Sequence, residues 1–276
     1  MKKILVPIDF SEQAEFAAKV AVKIAEQTNS ELHLLHTLDL PSDVIDPSNY
    51  GNADNSPTTL LYMKKAQEKF EKITKRYFMR NVKVVKSVVF TNPFQGIIEE
   101  SKKQNVDLIV MGSQGTSGFS EMLVGSNTEK VVRHSDIPVI VIKNEIDDFK
   151  LDNLIFASDF REHYKPGFKK MVEFANKFDA KIHLLRVITP SNFESTFVAK
   201  KSIKDFIADT DLKDHTINLY NDKSIEGGVL HFGEETEADI IAINTHSRRG
   251  LIHLFNNSIS GSITNHAVRP VITFKV

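Results

Sequence analysis

Short, nearly uninterrupted apolar runs alternate along the chain with longer stretches in which apolar residues recur at helical spacing. The runs Lys3–Ile8, Glu31–Leu38, Val82–Phe90, Asp107–Met111 and Pro138–Lys143 have strand length. Leu108–Met111 and Val139–Ile142 carry no polar alternation, which indicates strands buried on both faces. Between them, Ala14, Ala17, Ala18, Ala21, Val22 and Ala25 make one helical face, which Asp9 or Ser11 can cap. Further helices are expected up to about Tyr77, from Pro93 to about Gln104, and from about Ser126 to His134. Residues 39–57, with Pro41, Pro47, Gly51 and Pro57, read as loop. Strand and helix in strict alternation predict a parallel, doubly wound α/β sheet with its ligand crevice at the carboxyl ends of the strands.

The pattern occurs twice. Ile4-Leu5-Val6-Pro7-Ile8-Asp9-Phe10 recurs as Leu154-Ile155-Phe156-Ala157-Ser158-Asp159-Phe160, and Leu32-His33-Leu34-Leu35 as Ile182-His183-Leu184-Leu185, both at an offset of 150. Val106–Gly112 matches Ala238–Asn244 and Pro138–Lys143 matches Pro270–Lys275 at an offset of 132, so the second copy has lost 18 residues, mostly from the stretch matching 39–80. Repeats of this size are duplicated domains, expected over 1–143 and 151–276, with Asn144–Lys150 as a short polar link.

Composition narrows the function. The chain of 276 residues is 41% hydrophobic, enough for two cores, and carries 35 Lys and Arg against 36 Asp and Glu. Near-zero net charge leaves no electrostatic footprint for nucleic acid or an anionic membrane. Cysteine is absent, which excludes disulfides and thiolate metal sites. No signal-peptide core and no membrane-spanning run is seen, so the expected location is cytoplasmic. A metal reading of the ten histidines is disfavoured: His33 and His183 recur at one strand position and His134 and His266 at one helix end, which suggests structural tasks. Phe168, Phe174 and Phe178 read as core, and the lysines of 63–80 as a solvated helix face.

The chemistry concentrates in Gly112-Ser113-Gln114-Gly115, nine residues, then Gly125-Ser126, set between the run ending at Met111 and the helix beginning at Ser126. A strand, a glycine loop and a helix start make a phosphate cradle: glycines let backbone N–H groups approach an anion, and the helix end adds unpaired donors and a positive dipole end.

With Val6-Pro7-Ile8-Asp9-Phe10-Ser11, Leu35-His36, Met111-Gly112, Gly125-Ser126 and Pro138-Val139 in this order, the chain resembles the universal stress proteins in tandem form. That resemblance implies two Rossmann-like, adenine nucleotide α-hydrolase-like domains with five parallel strands each, forming an intramolecular pseudo-dimer through their fifth strands. Within the family the glycine pattern marks members that hold ATP. It implies that Asp9 contacts the ribose or its metal, with Pro7 and Ile8 beside the base. Thr37 would line the adenine pocket and Met111 lie under the base. Gly112 and Gly115 would let the loop wrap the phosphates, and Gly125, Ser126, Asn127 and Thr128 would donate to them. Capping alone is the competing role for Asp9, Ser126 and Thr128. Mg²⁺ is the expected accompanying cation. A protein partner and a further homodimer stay open.

In the second half Gly112, Gly115 and Gly125 are replaced by Asn244, Ser247 and Asn257, while Asp159, Ser258 and Ser260 keep their places. Side chains then fill the space phosphates need, so that site is expected to be degenerate. Arg248 and Arg249 read as solvated loop arginines before a second anion site. No P-loop, nucleophile elbow, or His or Lys within 112–128 supports phosphoryl chemistry. The leading expectation is an ATP-binding stress or signalling protein that switches conformation. A slow ATPase or nucleotidyl-transferring enzyme, and a nucleotide-free scaffold, are the alternatives. No catalytic and no metal-ligating residue is assigned.

Overall fold

Two short apolar strands, paired antiparallel, join two copies of one α/β unit into a single sheet. The computed structural model describes residues 1–39, 57–76, 79–113, 125–245 and 269–276. The first copy runs β1 (Lys3–Pro7), α1 (Glu12–Thr28), β2 (Glu31–Thr37), α2 (Pro57–Thr74), β3 (Val84–Val89), α3 (Pro93–Lys103), β4 (Leu108–Gly112), α4 (Ser126–His134) and β5 (Val139–Ile142). The second runs β6 (Asn153–Ala157), a 3-10 turn (Glu162–Tyr164), α5 (Lys165–Ala175), β7 (Lys181–Ile188), α6 (Thr196–Ile207), β8 (His215–Asn221), α7 (Ile225–Glu235), β9 (Ile240–Thr245) and β10 (Val271–Lys275).

The ten strands lie in the order β3-β2-β1-β4-β5-β10-β9-β6-β7-β8. Neighbours are parallel except at the centre, where Val271 faces Val141, Ile272 faces Ile140 and Thr273 faces Val139 in antiparallel register. All four residues of β5 are buried. Left as an edge, such a strand would expose unpaired backbone groups beside apolar side chains. Because β5 and β10 run in opposite directions, the carboxyl ends of the two parallel halves point to opposite edges of the molecule.

Alternation along the strands builds two cores. Ile4 and Val6 pack with the alanine face of α1 and with Phe70, and this layer continues through Ile140 and Ile272 to Phe156, Phe168 and Phe206. Leu5, Ile109 and Val141 face the other side with Ile97, Val131 and Val132. The starts of the sheets are clamped alike in both halves. Asp107 Oδ2 accepts from the Lys2 and Lys3 amides, and Asp239 Oδ2 from those of Asp152 and Asn153.

The turn after the first strand of each half is strained in the same way. Phe10 (φ 66°) and Phe160 (φ 57°) occupy the left-handed region, unusual for bulky residues. Such a conformation costs about 1–3 kcal/mol. Burying a phenyl ring contributes a comparable amount, roughly 1.5–3 kcal/mol. Phe10 stacks on His36 and Phe70 with centroids 4.8 and 5.3 Å away, and Phe160 on Phe156 and Phe206 at 5.9 and 5.5 Å.

Several expectations need correction. The link between halves is not simply polar: Phe149 is buried in the shared core and Ile146 packs on it. The second helix stops at Thr74, the third strand spans only Val84–Val89, and Phe178 lies beyond the end of α5, although it still packs on the core. The strand histidines are buried and partnered. His33 Nε2 lies 2.5 Å from Glu31 Oε1, while His183 meets Thr216 Oγ1 at 2.9 Å and Asn153 Oδ1 at 3.3 Å. Burial pushes the His183 pKa down, so its ring is neutral at pH 7. His266 lies outside the described residues. Among the described residues no helix is long and apolar enough to cross a membrane.

A carboxylate placed in the central seam, as in Val141→Asp or Thr273→Asp, should cost about 3 kcal/mol or more, because both sites are buried. Urea unfolding followed by fluorophores placed in each half should show both halves losing stability together. A wild-type midpoint retained by one half would mean that the seam does not couple them.

Candidate functional site

The strand order reverses between β1 and β4, and the crevice of the first half opens there, at their carboxyl ends. Chain continuity sets Asp9 just beyond β1 on one side. On the other, β4 delivers Met111, Gly112 and Ser113.

The β1 side is rigid. Ile8 donates its amide to Leu35 O (2.7 Å), and its carbonyl lies 2.7 Å from His36 Nδ1. Burial holds the His36 pKa below its ordinary value, so the neutral ring donates from Nδ1. The Ile8 side chain is buried in the core. Asp9 Oδ1 accepts from the Ser11 amide (3.0 Å) and hydroxyl (2.6 Å), and Ser11 Oγ in turn accepts from the Ala14 amide at 3.2 Å. Ser11, not Asp9, therefore caps α1, and Asp9 orients the cap. Thr37 ends β2 half-buried. Its methyl packs so closely on α3 that a Cβ added at Gly96 would lie 2.8 Å from it.

The β4 side is a backbone clamp. The Ser113 amide donates to Ile142 O, its carbonyl accepts from the Gly125 amide, both at 2.7 Å, and Thr128 Oγ1 donates to Gly112 O at 3.0 Å. These bonds draw the end of β4 and the start of α4 together across residues 114–124. Gly115 falls within that stretch, outside the described residues. Met111 is buried in the apolar cluster with Val131 and Val141.

The start of α4 differs from those of α1, α3, α6 and α7, and shares with α5 the lack of a side-chain cap. Ser11, Asn92, Ser195 and Ser224 cap α1, α3, α6 and α7 with their side chains, whereas Gly125 at the N-cap of α4 supplies none. Among the described residues no side chain takes the first-turn amides of Ser126, Asn127 and Thr128, and the dipole adds positive potential there. This end fits an anion. Thr128 is buried and committed to Gly112, so its hydroxyl serves the clamp first.

Gly112 has a structural reason of its own. A Cβ there would lie 2.8 and 2.9 Å from the backbone C and O of Gln13, in the first turn of α1. In the second half the small residue has changed sides. Asn244 stands at the end of β9, its Nδ2 bonded to Tyr164 O at 3.2 Å, and α5 accommodates it with Gly167, where a Cβ would lie 2.2 Å from Asn244 Oδ1. Asn244 Oδ1 and Thr245 Oγ1 are buried without a hydrogen-bond partner among the described residues.

On β7 of the second half an arginine stands where the first half has His36. Arg186 matches His36 and reaches Asp159 O (3.4 Å), Ser202 Oγ (3.0 Å) and Glu194 (2.7 Å). Asp159, matching Asp9, pairs with Arg161 at 3.0 Å. Ser247, Arg248, Arg249, Asn257, Ser258 and Ser260 lie outside the described residues. No cluster able to hold a metal occurs among the described residues.

Sequence reasoning offered Ser11 as a possible cap but assigned no role to Ser113 or His36. Ser113 was visible within the glycine motif, but its role is carried by backbone atoms, which leave no side-chain signal.

Comparison with known proteins agrees with this architecture. The family model described as universal stress protein family matches residues 1–143 and again 150–275. Two universal stress proteins of Methanocaldococcus jannaschii are each 32% identical, one over 155 residues (52% of this chain, 96% of the relative) and one over 144 (51% and 82%). The solved universal stress protein of Archaeoglobus fulgidus shares the fold over nearly the whole length: TM-score 0.66, 21% identity, covering 99% of this chain and 96% of that one. A Pseudomonas aeruginosa structure covers 100% and 93% at TM-score 0.61 and 17% identity.

Two glycine variants separate packing from ligand contact. In urea denaturation without added nucleotide, Gly112→Ala should lose about 1–3 kcal/mol, since its Cβ meets helix backbone that cannot yield. Gly167→Ala should lose less, because the Asn244 side chain can turn away. Equal stability of Gly112→Ala and wild type would show that α1 does not constrain this position.

Proposed function

We propose that the chain, which belongs to the universal stress protein family as a tandem member, binds ATP in the crevice of its first half and changes conformation with occupancy. One observation carries the reading: α4 begins at a glycine with no side-chain cap, clamped by Ser113, Gly112 and Thr128 to the end of β4 at the switch point, beside Asp9. The amides of Ser126, Asn127 and Thr128 would receive phosphate oxygens. Asp9, held by Ser11, would accept from the ribose hydroxyls or orient a hydrated Mg²⁺. Pro7 and the end of β2 at Thr37 would flank the base, with Met111 beneath it. Gly115 would complete the phosphate loop.

The second half would serve as a structural partner in an intramolecular pseudo-dimer. Its carboxylate, Asp159, is neutralised by Arg161, and the Asn244 side chain, bonded to Tyr164 O, stands at the position of Gly112. Turnover would be slow, because residues 112–128 contain no Lys, Arg or His to neutralise charge on the transferring phosphoryl group.

Calorimetric titration tests the assignment. Losing one hydrogen-bond partner costs about 1–3 kcal/mol, so Asp9→Ala or Ser126→Ala should weaken ATP roughly ten- to a hundredfold. Asp159→Ala should leave the affinity unchanged. Equal losses from Asp159→Ala would contradict the reading.

A further inference from the structure

We infer that Lys275, in the last strand of the second half, is a positioning residue for the nucleotide site of the first half. Its Nζ crosses the central seam and donates to His134 O at 3.2 Å and to Asp136 Oδ1 at 2.8 Å. His134 is the last residue of α4, so the lysine caps the carboxyl end of the helix whose amino end forms the phosphate cradle. A cation there satisfies a terminal carbonyl and complements the negative dipole end. The helix has nine residues, about 13 Å in length, so its two ends move as one body.

The contact is anchored on both sides. Lys275 is held in register beside Thr245 in the β9–β10 ladder, and its strand pairs with β5 through Thr273 opposite Val139. On the receiving side, His134 Nδ1 binds Lys130 O at 2.8 Å and its ring lies 5.3 Å from Phe94 of α3. Ser135 Oγ donates to Ile137 O at 2.8 Å, which fixes the turn that presents Asp136. Lys275 draws the Asp136 pKa below its ordinary value, so the pair is charged at neutral pH.

The carboxylate of this arrangement is not repeated in the second half. Lys143 matches Lys275, but the residue matching Asp136 is Val268, which carries no carboxylate. Lys143 makes no ion pair among the described residues, and burial alone lowers its pKa. The second half thus grips α4 of the first, and the sequence provides no matching carboxylate for the reverse grip. A nucleotide that pulls on the amino end of α4 would be felt at the β10 strand, and by reciprocity the seam would tune nucleotide affinity.

This rests on the ATP site proposed above, and the test separates the two. ATP affinity is measured by calorimetry on the full chain as wild type, Lys275→Met, Asp136→Asn, the double variant and Lys275→Arg, with folding checked by circular dichroism. An exposed ion pair is weak, so Lys275→Met should weaken ATP about two- to fivefold. Asp136→Asn should weaken it in the same direction, the double variant should be no worse than Lys275→Met, and Lys275→Arg should restore most of the loss. A purely structural contact would lower thermal stability and leave affinity unchanged. Unchanged affinity in both Lys275→Met and Asp136→Asn, with wild type binding ATP, overturns the inference alone. A wild-type chain that binds no ATP overturns the site and this inference with it.

Discussion

The antiparallel backbone pairing of β5 with β10 is the constraint on which the rest depends. Each half, alone, would end in a short, largely buried strand with an open edge, wholly apolar in β5 and interrupted by Thr273 and Lys275 in β10. Pairing removes both edges at once and merges the cores into layers that run the length of a ten-stranded sheet. It also sends the two crevices to opposite edges, so neither half can complete the other's site directly. Communication must pass through the seam and the helices packed on it, and the Lys275 contact to the end of α4 is one such route.

Within that frame the two halves have diverged by exchanging where small residues stand. The first half keeps a glycine at the end of β4, which lets the first turn of α1 approach the strand. The second keeps a glycine on α5 and spends the space on the Asn244 side chain. Arg186 replaces His36 and ties Asp159 O, Ser202 and Glu194 together. Among the described residues, backbone bonds organise the end of β4 in the first half, while the Asn244 and Arg186 side chains bridge neighbouring elements in the second.

Much of the fold was legible because burial and periodicity follow simple rules. The five strands of the first half, four of the second, the alanine face of α1 and the start of α4 at Ser126 all appear close to where the apolar pattern and the repeat place them, whereas β8 went unplaced. The pairing of the fifth strands came from the family resemblance, and no local pattern encodes a partner so distant in sequence. Phe149 escaped notice because a single aromatic in a charged segment reads as a link. The glycine motif drew attention to Gly112 for phosphate approach, whereas its contact with the Gln13 backbone could only be seen in three dimensions. Thr128 looked like a phosphate donor, and its hydroxyl belongs first to Gly112 O.

The central claim is that duplication has left one nucleotide site, in the first half. The most direct test is the amount and identity of nucleotide released when the purified full chain, saturated with ATP and Mg²⁺ and freed of excess ligand, is denatured by heat and assayed by mass spectrometry. The account predicts one ATP for each chain. Two for each chain, or none, would contradict it.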